Sequence, residues 1–278
     1  MRNQPMNRLS IHTMTVKPWS IDDCARHFPA AGVRGITVWR QHLEGCNTVL
    51  AGARLRDAGL EITSLCRGGF FPAKSPQSRQ MALDDNLRAI EQAHDLGAPL
   101  IVLVCGAVPR QPLEESRRQI IDGIAAVLPA AKAAGIKLAI EPLHPMYADD
   151  RSAINTMAQA HAVCDALGSP DNLGIAVDVY HVWWDSELKE QIDHAGRTSR
   201  LHAFHICDWK TPTTDLLNDR GLMGEGCINI REISDWVDAA GFTGHREVEI
   251  FSNKYWAMDQ HEWLDRIVKA YHKEVGQG

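Results

Sequence analysis

Four side chains that can hold a metal ion recur in the C-terminal half: Glu141, Asp178, His205 and Glu249. They are 37, 27 and 44 residues apart, each gap about one strand–helix unit. Each belongs to a short apolar run: IKLAIE (136–141), LGIAVDVY (173–180), LHAFHICD (201–208) and HREVEIF (245–251). A carboxylate inside an apolar strand is costly unless it is paired or bound to a metal. One such acid reads as a buried salt bridge. Four ligand-type groups at equivalent depth, with no Lys or Arg at those strand ends, read as the shell of one divalent cation. Three carboxylates and an imidazole suit Mn²⁺, Mg²⁺, Co²⁺ or Zn²⁺, and the oxygen-rich set leans toward Mn²⁺. Pro142 holds Glu141 extended. Two positions earlier, on the same strand face, stand Ala139, Ala176, Ala203 and Glu247. The alanines leave room beneath the metal. Glu247 either orients a ligand or an arginine from there, or turns to a solvated barrel floor.

Positioning these groups requires parallel strands ending at one face. Four more strand-like runs precede them: LSIHTMTV (9–16), GITVW (35–39), LEITSLC (60–66) and PLIVLVCG (99–106). They are short and continuously apolar, as expected of strands covered on both sides. Between the runs lie helical patterns. Ser20 can cap a helix that Pro29 must bend or shorten. The segment 85–95 spaces Leu87, Ile90 and Ala93 on one face, and 114–134 is a long run of helix formers. Gly32, Gly59, Gly97, Gly135, Gly168 and Gly241 stand where left-handed helix stops are expected. Eight strands alternating with helices over 278 residues predict one (β/α)8 TIM barrel spanning 1–278. The open doubly wound sheet needs a glycine-rich phosphate loop, and CRGG (66–69) lacks its spacing.

A net charge of −6 argues against a phosphate-backbone binder. The N-terminal MRNQPMNRLSIH has no signal-peptide core, and no run approaches the roughly 18 apolar residues of a membrane span. Seven scattered cysteines without a CxxC pair predict reduced thiols in the cytoplasm. Neither a nucleic acid nor a membrane is expected as a partner. Barrels of this kind often form homo-oligomers, but no apolar surface signature specifies one.

The motifs AIEPLHP (139–145), VDVYHVWW (177–184), AFHICDW (203–209), GEG (224–226) and GHREVEIF (244–251) resemble the xylose-isomerase-like sugar isomerase and epimerase superfamily, including ketose 3-epimerases and inosose dehydratases. The resemblance covers nearly the whole chain. It implies a small carbohydrate substrate, metal roles for Glu141, Asp178, His205 and Glu249, and catalytic acid/base roles for Glu141 and Glu249. The Asp178–His181 step is similar to the epimerase pattern in which the histidine binds substrate. Two positions depart from that pattern: Tyr147 stands for a second glutamate and Thr211 for an arginine, with Lys210 and Arg220 nearby.

The expected chemistry removes a proton beside a carbonyl, passes through a cis-enediolate, and returns the proton as an isomerase or epimerase does. Loss of a β-oxygen would make the same site a lyase or dehydratase on keto-sugars, inososes or 3-keto-glycosides. A metallonuclease and a non-catalytic sugar-binding barrel are weaker alternatives. His144, His181, Trp183 and Arg220 are expected to bind substrate. Arg220 could instead pair with Glu225. His12 and Trp39 could line the mouth or belong to the core. The segment 209–229 is long enough for a lid.

Overall fold

The computed structural model describes residues 8–276. Residues 1–7, part of the stretch read above for a signal sequence, and 277–278 lie outside them. Eight parallel strands close into one barrel in sequence order. They are β1 (Leu9–His12), β2 (Gly35–Trp39), β3 (Glu61–Gly69), β4 (Leu100–Val104), β5 (Lys137–Ile140), β6 (Leu173–Asp178), β7 (Leu201–Ile206) and β8 (Arg246–Val248). The outer helices are α1 (Ile21–Ala30), α2 (Thr48–Asp57), α3 (Pro76–Leu96), α4 (Leu113–Ala133) and α5 (Met157–Ala166). The one-turn α6 (Val179–Val182) precedes α7 (Leu188–Arg197), α8 (Ile230–Ala239) follows β7, and α9 (Asn253–Trp256) precedes α10 (Gln260–Glu274). The chain is thus a single-domain TIM barrel, and no described helix is long and apolar enough to cross a membrane.

Local signals explain most boundaries. Ser20 accepts the Asp23 N–H while Asp23 accepts the Ser20 N–H, a reciprocal cap that starts α1. Pro29 sits in the last turn of α1, where it shortens the helix. All six glycines expected to stop helices have positive φ, between 72° and 90°. Differences arise where tertiary contacts intervene. The first apolar run does not continue as a strand: Thr13–Val16 form a 3-10 turn. There Thr15 Oγ1 donates to Val248 O (2.9 Å) and accepts from Ile250 N (2.9 Å), clasping the β1–β8 seam. Leu87 is 38% exposed, whereas Ile90 and Ala93 are buried with Asn86 and Ala89. The buried face of α3 is therefore rotated by about one residue.

The core has two layers. The larger lies between strands and helices, with Phe28, Leu55, Ile124 and Trp263 among its buried side chains. The smaller fills the barrel and contains Met14, Trp39, Cys66, Leu100, Val102, Phe251 and the three alanines Ala139, Ala176 and Ala203. Those alanines are fully buried, which leaves the layer above them to polar groups.

Candidate metal centre

Glu141 and Glu249 each follow their strand by one residue, and Asp178 ends β6. Backbone ties hold the two glutamates level with the barrel rim: Glu141 N–H donates to Leu103 O and Glu249 N–H to Ile206 O, both at 3.1 Å. Asp178 pairs directly with His205 in the β6–β7 register. As a result, one ligand atom from each of Glu141, Asp178, His205 and Glu249 lies within 4.8 Å of every other. All four residues are at most 4% exposed.

The electrostatics of this cluster call for positive charge. Burial works against an imidazolium at His205, but Glu141, Glu247 and Glu249 outweigh it and hold the ring protonated up to about 10. His205 Nδ1 is 2.9 Å from Glu141 Oε1, yet both atoms and His205 Nε2 have no aligned hydrogen-bond partner. Buried polar atoms are seldom left so. These orphaned atoms converge with the carboxylates of Asp178 and Glu249, and the donor set fits a divalent cation.

Arg220 supplies part of the missing charge. Its Nη1 donates to Asp178 Oδ2 (3.0 Å) and Glu249 Oε2 (2.6 Å), and its guanidinium lies over the rings of Tyr180 and Phe251. Burial raises Asp178 well above the usual carboxylate range despite this contact, helped by the neighbouring Glu249 and Glu141. Burial would raise Glu249 too, but Arg220, His12 and His205 together hold it well below that range. Glu225 does not reach Arg220; it accepts from Tyr255 Oη and lies 3.6 Å from Arg266. Arg220 reaches the centre from the long segment 209–229, which is fastened rather than free. The Asp208 carboxylate accepts the N–H groups of Trp209, Gly224, Gly226 and Ile228 at 2.8–3.0 Å. Arg220 N–H is itself tied to Phe251 O (3.0 Å).

Beneath the cluster, Glu247 is 3% exposed and does not face solvent. Its Oε2 accepts from the hydroxyls of Thr37 and Thr63, the latter at 2.8 Å, and lies 3.8 Å from His12 Nε2. Trp39 Nε1 donates to His12 Nδ1 (3.1 Å), so a neutral ring carries its proton on Nε2, toward Glu247. His12 also approaches Glu249 (3.3 Å) and meets the His205 ring edge-on at 4.6 Å. A second triplet of ligand-type groups, His12, His205 and Glu247, thus adjoins the first. Its carboxylate is already engaged by the two threonines.

The cluster opens into a cavity of about 150 Å³ whose wall includes Glu141, Glu249, His181 and Arg220. Burial and the Arg220 charge push His181 well below the usual histidine range, so it stays neutral. Trp39 and Tyr147 are also on the wall. His144 and Trp183, expected to bind substrate, are not among the residues of this wall. The His144 ring stacks on Trp209 at 5.0 Å and accepts the Met146 N–H, while Trp183 packs against Trp209 at 5.8 Å. Arg67 and Arg151 line the cavity as well. Sequence reasoning passed over both, because Arg67 lies in the CRGG segment and Arg151 in a charged loop.

The profile of a family described as xylose isomerase-like TIM barrel matches residues 27–267. The chain belongs to that family. Its relatives include the inosose isomerase of Halalkalibacterium halodurans, 25% identical over 177 residues, and the L-ribulose 3-epimerase of Mesorhizobium japonicum, 27% identical over 158. These matches cover 62% and 54% of this chain, and only 60% and 48% of those curated relatives. Among solved structures, a protein from Sinorhizobium meliloti 1021 superposes with a TM-score of 0.93 at 44% identity, covering 97% of this chain and 98% of that one. The IOLI protein, crystallised with a zinc atom, shares the fold at a TM-score of 0.83 and 20% identity, covering 96% and 98% of the two chains.

Proposed function

We propose that the protein is a divalent-metal-dependent sugar isomerase or epimerase, with Glu141 and Glu249 as its acid/base pair. The observation that carries this reading is the convergence of four buried ligand atoms within 4.8 Å, two of them from glutamates that also line the cavity. Glu141, Asp178, His205 and Glu249 would hold the ion. Mn²⁺ is the cation best matched to this oxygen-rich set, and Zn²⁺ belongs in the same test. Bound there, the cation supplies Lewis-acid polarisation of a carbonyl and acidifies the neighbouring C–H.

The chain's own residues supply the rest. Glu141 follows β5 and Glu249 follows β8, with two strands between them, so the two carboxylates approach the cavity from different sides. One can remove a proton beside a carbonyl and the other return it, the arrangement an epimerisation needs. Neutral His181 can hydrogen-bond a sugar hydroxyl. Arg220 stabilises Glu249 as a carboxylate, the form a base requires. Trp39 and Tyr147 give the cavity aromatic walls suited to a sugar face. Kinship with an inosose isomerase and an L-ribulose epimerase supports a polyhydroxylated carbonyl substrate. Seven unpaired cysteines suit work in a reducing compartment such as the cytoplasm.

The test is solvent exchange. Mn²⁺-loaded protein in D₂O is mixed with ketoses, inososes and 3-keto-glycosides and followed by proton NMR. Deuterium entering a carbon beside the carbonyl is the expected result, and the product separates epimerase, isomerase and lyase outcomes. No exchange with any of them or with their carboxylate and phosphate derivatives, with metal bound, overturns the proposed function.

A further inference from the structure

The cavity carries more positive charge than the metal centre uses. Arg67 and Arg151 line it, and among the described residues neither has a carboxylate within ion-pair distance. The other arginine on its wall, Arg220, is consumed by Asp178 and Glu249. Glu141 and Glu249, the carboxylates on that wall, belong to the metal cluster. Asp85 bears on Arg67 from an adjoining cleft. It is already held by Arg40 at 2.8 and 3.0 Å and by Arg88 at 3.3 Å.

Both arginines are placed by the fold. Arg67 is the extra residue where the β3–β4 register skips from Cys66 to Gly68, a bulge that re-aims a side chain at a barrel rim. Its guanidinium lies 4.1 Å over the Phe70 ring. Arg151 is pinned through its backbone, which accepts from Gly106 N–H (2.9 Å) and donates to Tyr147 O (3.1 Å). Its guanidinium faces the Tyr147 ring at 5.5 Å. Both side chains are half-buried. Burial and then the Arg151 charge pull the Arg67 guanidinium below its ordinary value, as expected of two like charges crowded without a counter-ion. Packing against aromatic faces holds such a pair in place, and the forked donors match an oxyanion.

We propose that Arg67 and Arg151 form an anion subsite, and that the substrate is a sugar whose end remote from the metal carries a carboxylate or a phosphate. This rests on the sugar-isomerase reading only for the word sugar, since the subsite itself is read from the two arginines. Arg67 and Arg151 share the cavity wall with Glu141 and Glu249, so one end of a chain can be held by the arginines while its carbonyl end reaches the two glutamates. Tyr147, whose ring Arg151 faces, brings no negative charge to this part of the wall.

Isothermal titration of the metal-loaded protein with fructose, fructuronate and terminally phosphorylated fructose tests the proposal and separates its two anion sources. At least one anionic sugar is expected to bind about tenfold or more tightly than fructose, and Arg67→Met and Arg151→Met should each cut that preference about tenfold. Preference for fructuronate assigns a carboxylate, and preference for the ester assigns a phosphate. Equal binding of all three, failure of both anions to bind, or a preference that survives both substitutions overturns the subsite. Arg-dependent anion binding without deuterium exchange keeps the subsite and removes the isomerase reading. Exchange on neutral sugars without anion preference does the reverse.

Discussion

Glu249 is buried beside Asp178 and His205, and each of these groups would be costly alone. Arg220 makes the arrangement stable by placing one guanidinium against two carboxylates. Removing one member of a buried ionic group leaves an uncompensated charge, which costs about 3–5 kcal/mol. Arg220→Ala should therefore destabilise the metal-free protein by about that amount, and less with Mn²⁺ bound, because the ion neutralises the same carboxylates. Urea unfolding with EDTA and with metal reads the difference, and equal losses in both would refute this account. The glutamates make a separate prediction. Glu141→Gln and Glu249→Gln keep shape and burial but lose the proton-transfer group, and should lower turnover by about 10²–10⁴-fold. Initial rates at matched metal occupancy check it.

At the scale of the element, β7 and the segment that follows it supply His205 and Arg220. Asp208 gathers four N–H groups, so the chain between Trp209 and Ile228 is held as a fixed arch that delivers Arg220. Asp208→Ala should release this arch: limited proteolysis should cut within 209–229, and activity should fall although no metal ligand has changed. His202, at the other end of β7, has a pH signature. Burial and nearby Lys137 depress it to about 4 from an ordinary 6.5. Its Nδ1 is buried without a partner. In that window the unfolded chain binds more protons than the folded one, so His202 makes stability fall as pH drops from 6.5 toward 4. His202→Gln should flatten that slope in denaturation curves recorded across the window.

For the whole molecule, the barrel is a closed ring whose seam between β1 and β8 is clasped by Thr15, and whose C-terminal face gathers three acidic side chains at one point. Any ion bound there binds only the folded chain. Metal at about 100 times its Kd should add about 2.7 kcal/mol to stability, raising Tm by about 5 °C for a chain of this size. Thermal scans of EDTA-stripped and Mn²⁺-loaded protein measure it, and an unchanged Tm would argue against a preformed site.

The sequence alone determined the barrel, because eight apolar runs, helix caps and glycine stops are local signals that each act within one turn or one strand. It also singled out Glu141, Asp178, His205 and Glu249, because a ligand-type side chain near each strand end is visible as spacing. It placed Leu87 on the wrong face of α3 and carried β1 four residues too far. Helix rotation depends on what packs opposite, and Thr13–Val16 turn because β8 lies beside them. Only the tertiary structure decided the partners. Arg220 choosing Asp178 and Glu249 over Glu225, Glu247 meeting Thr37 and Thr63, and the bulge that brings Arg67 to the cavity wall that Arg151 also lines all join residues distant in the chain. Their geometry is set by closure of the ring, which no local pattern of residues records.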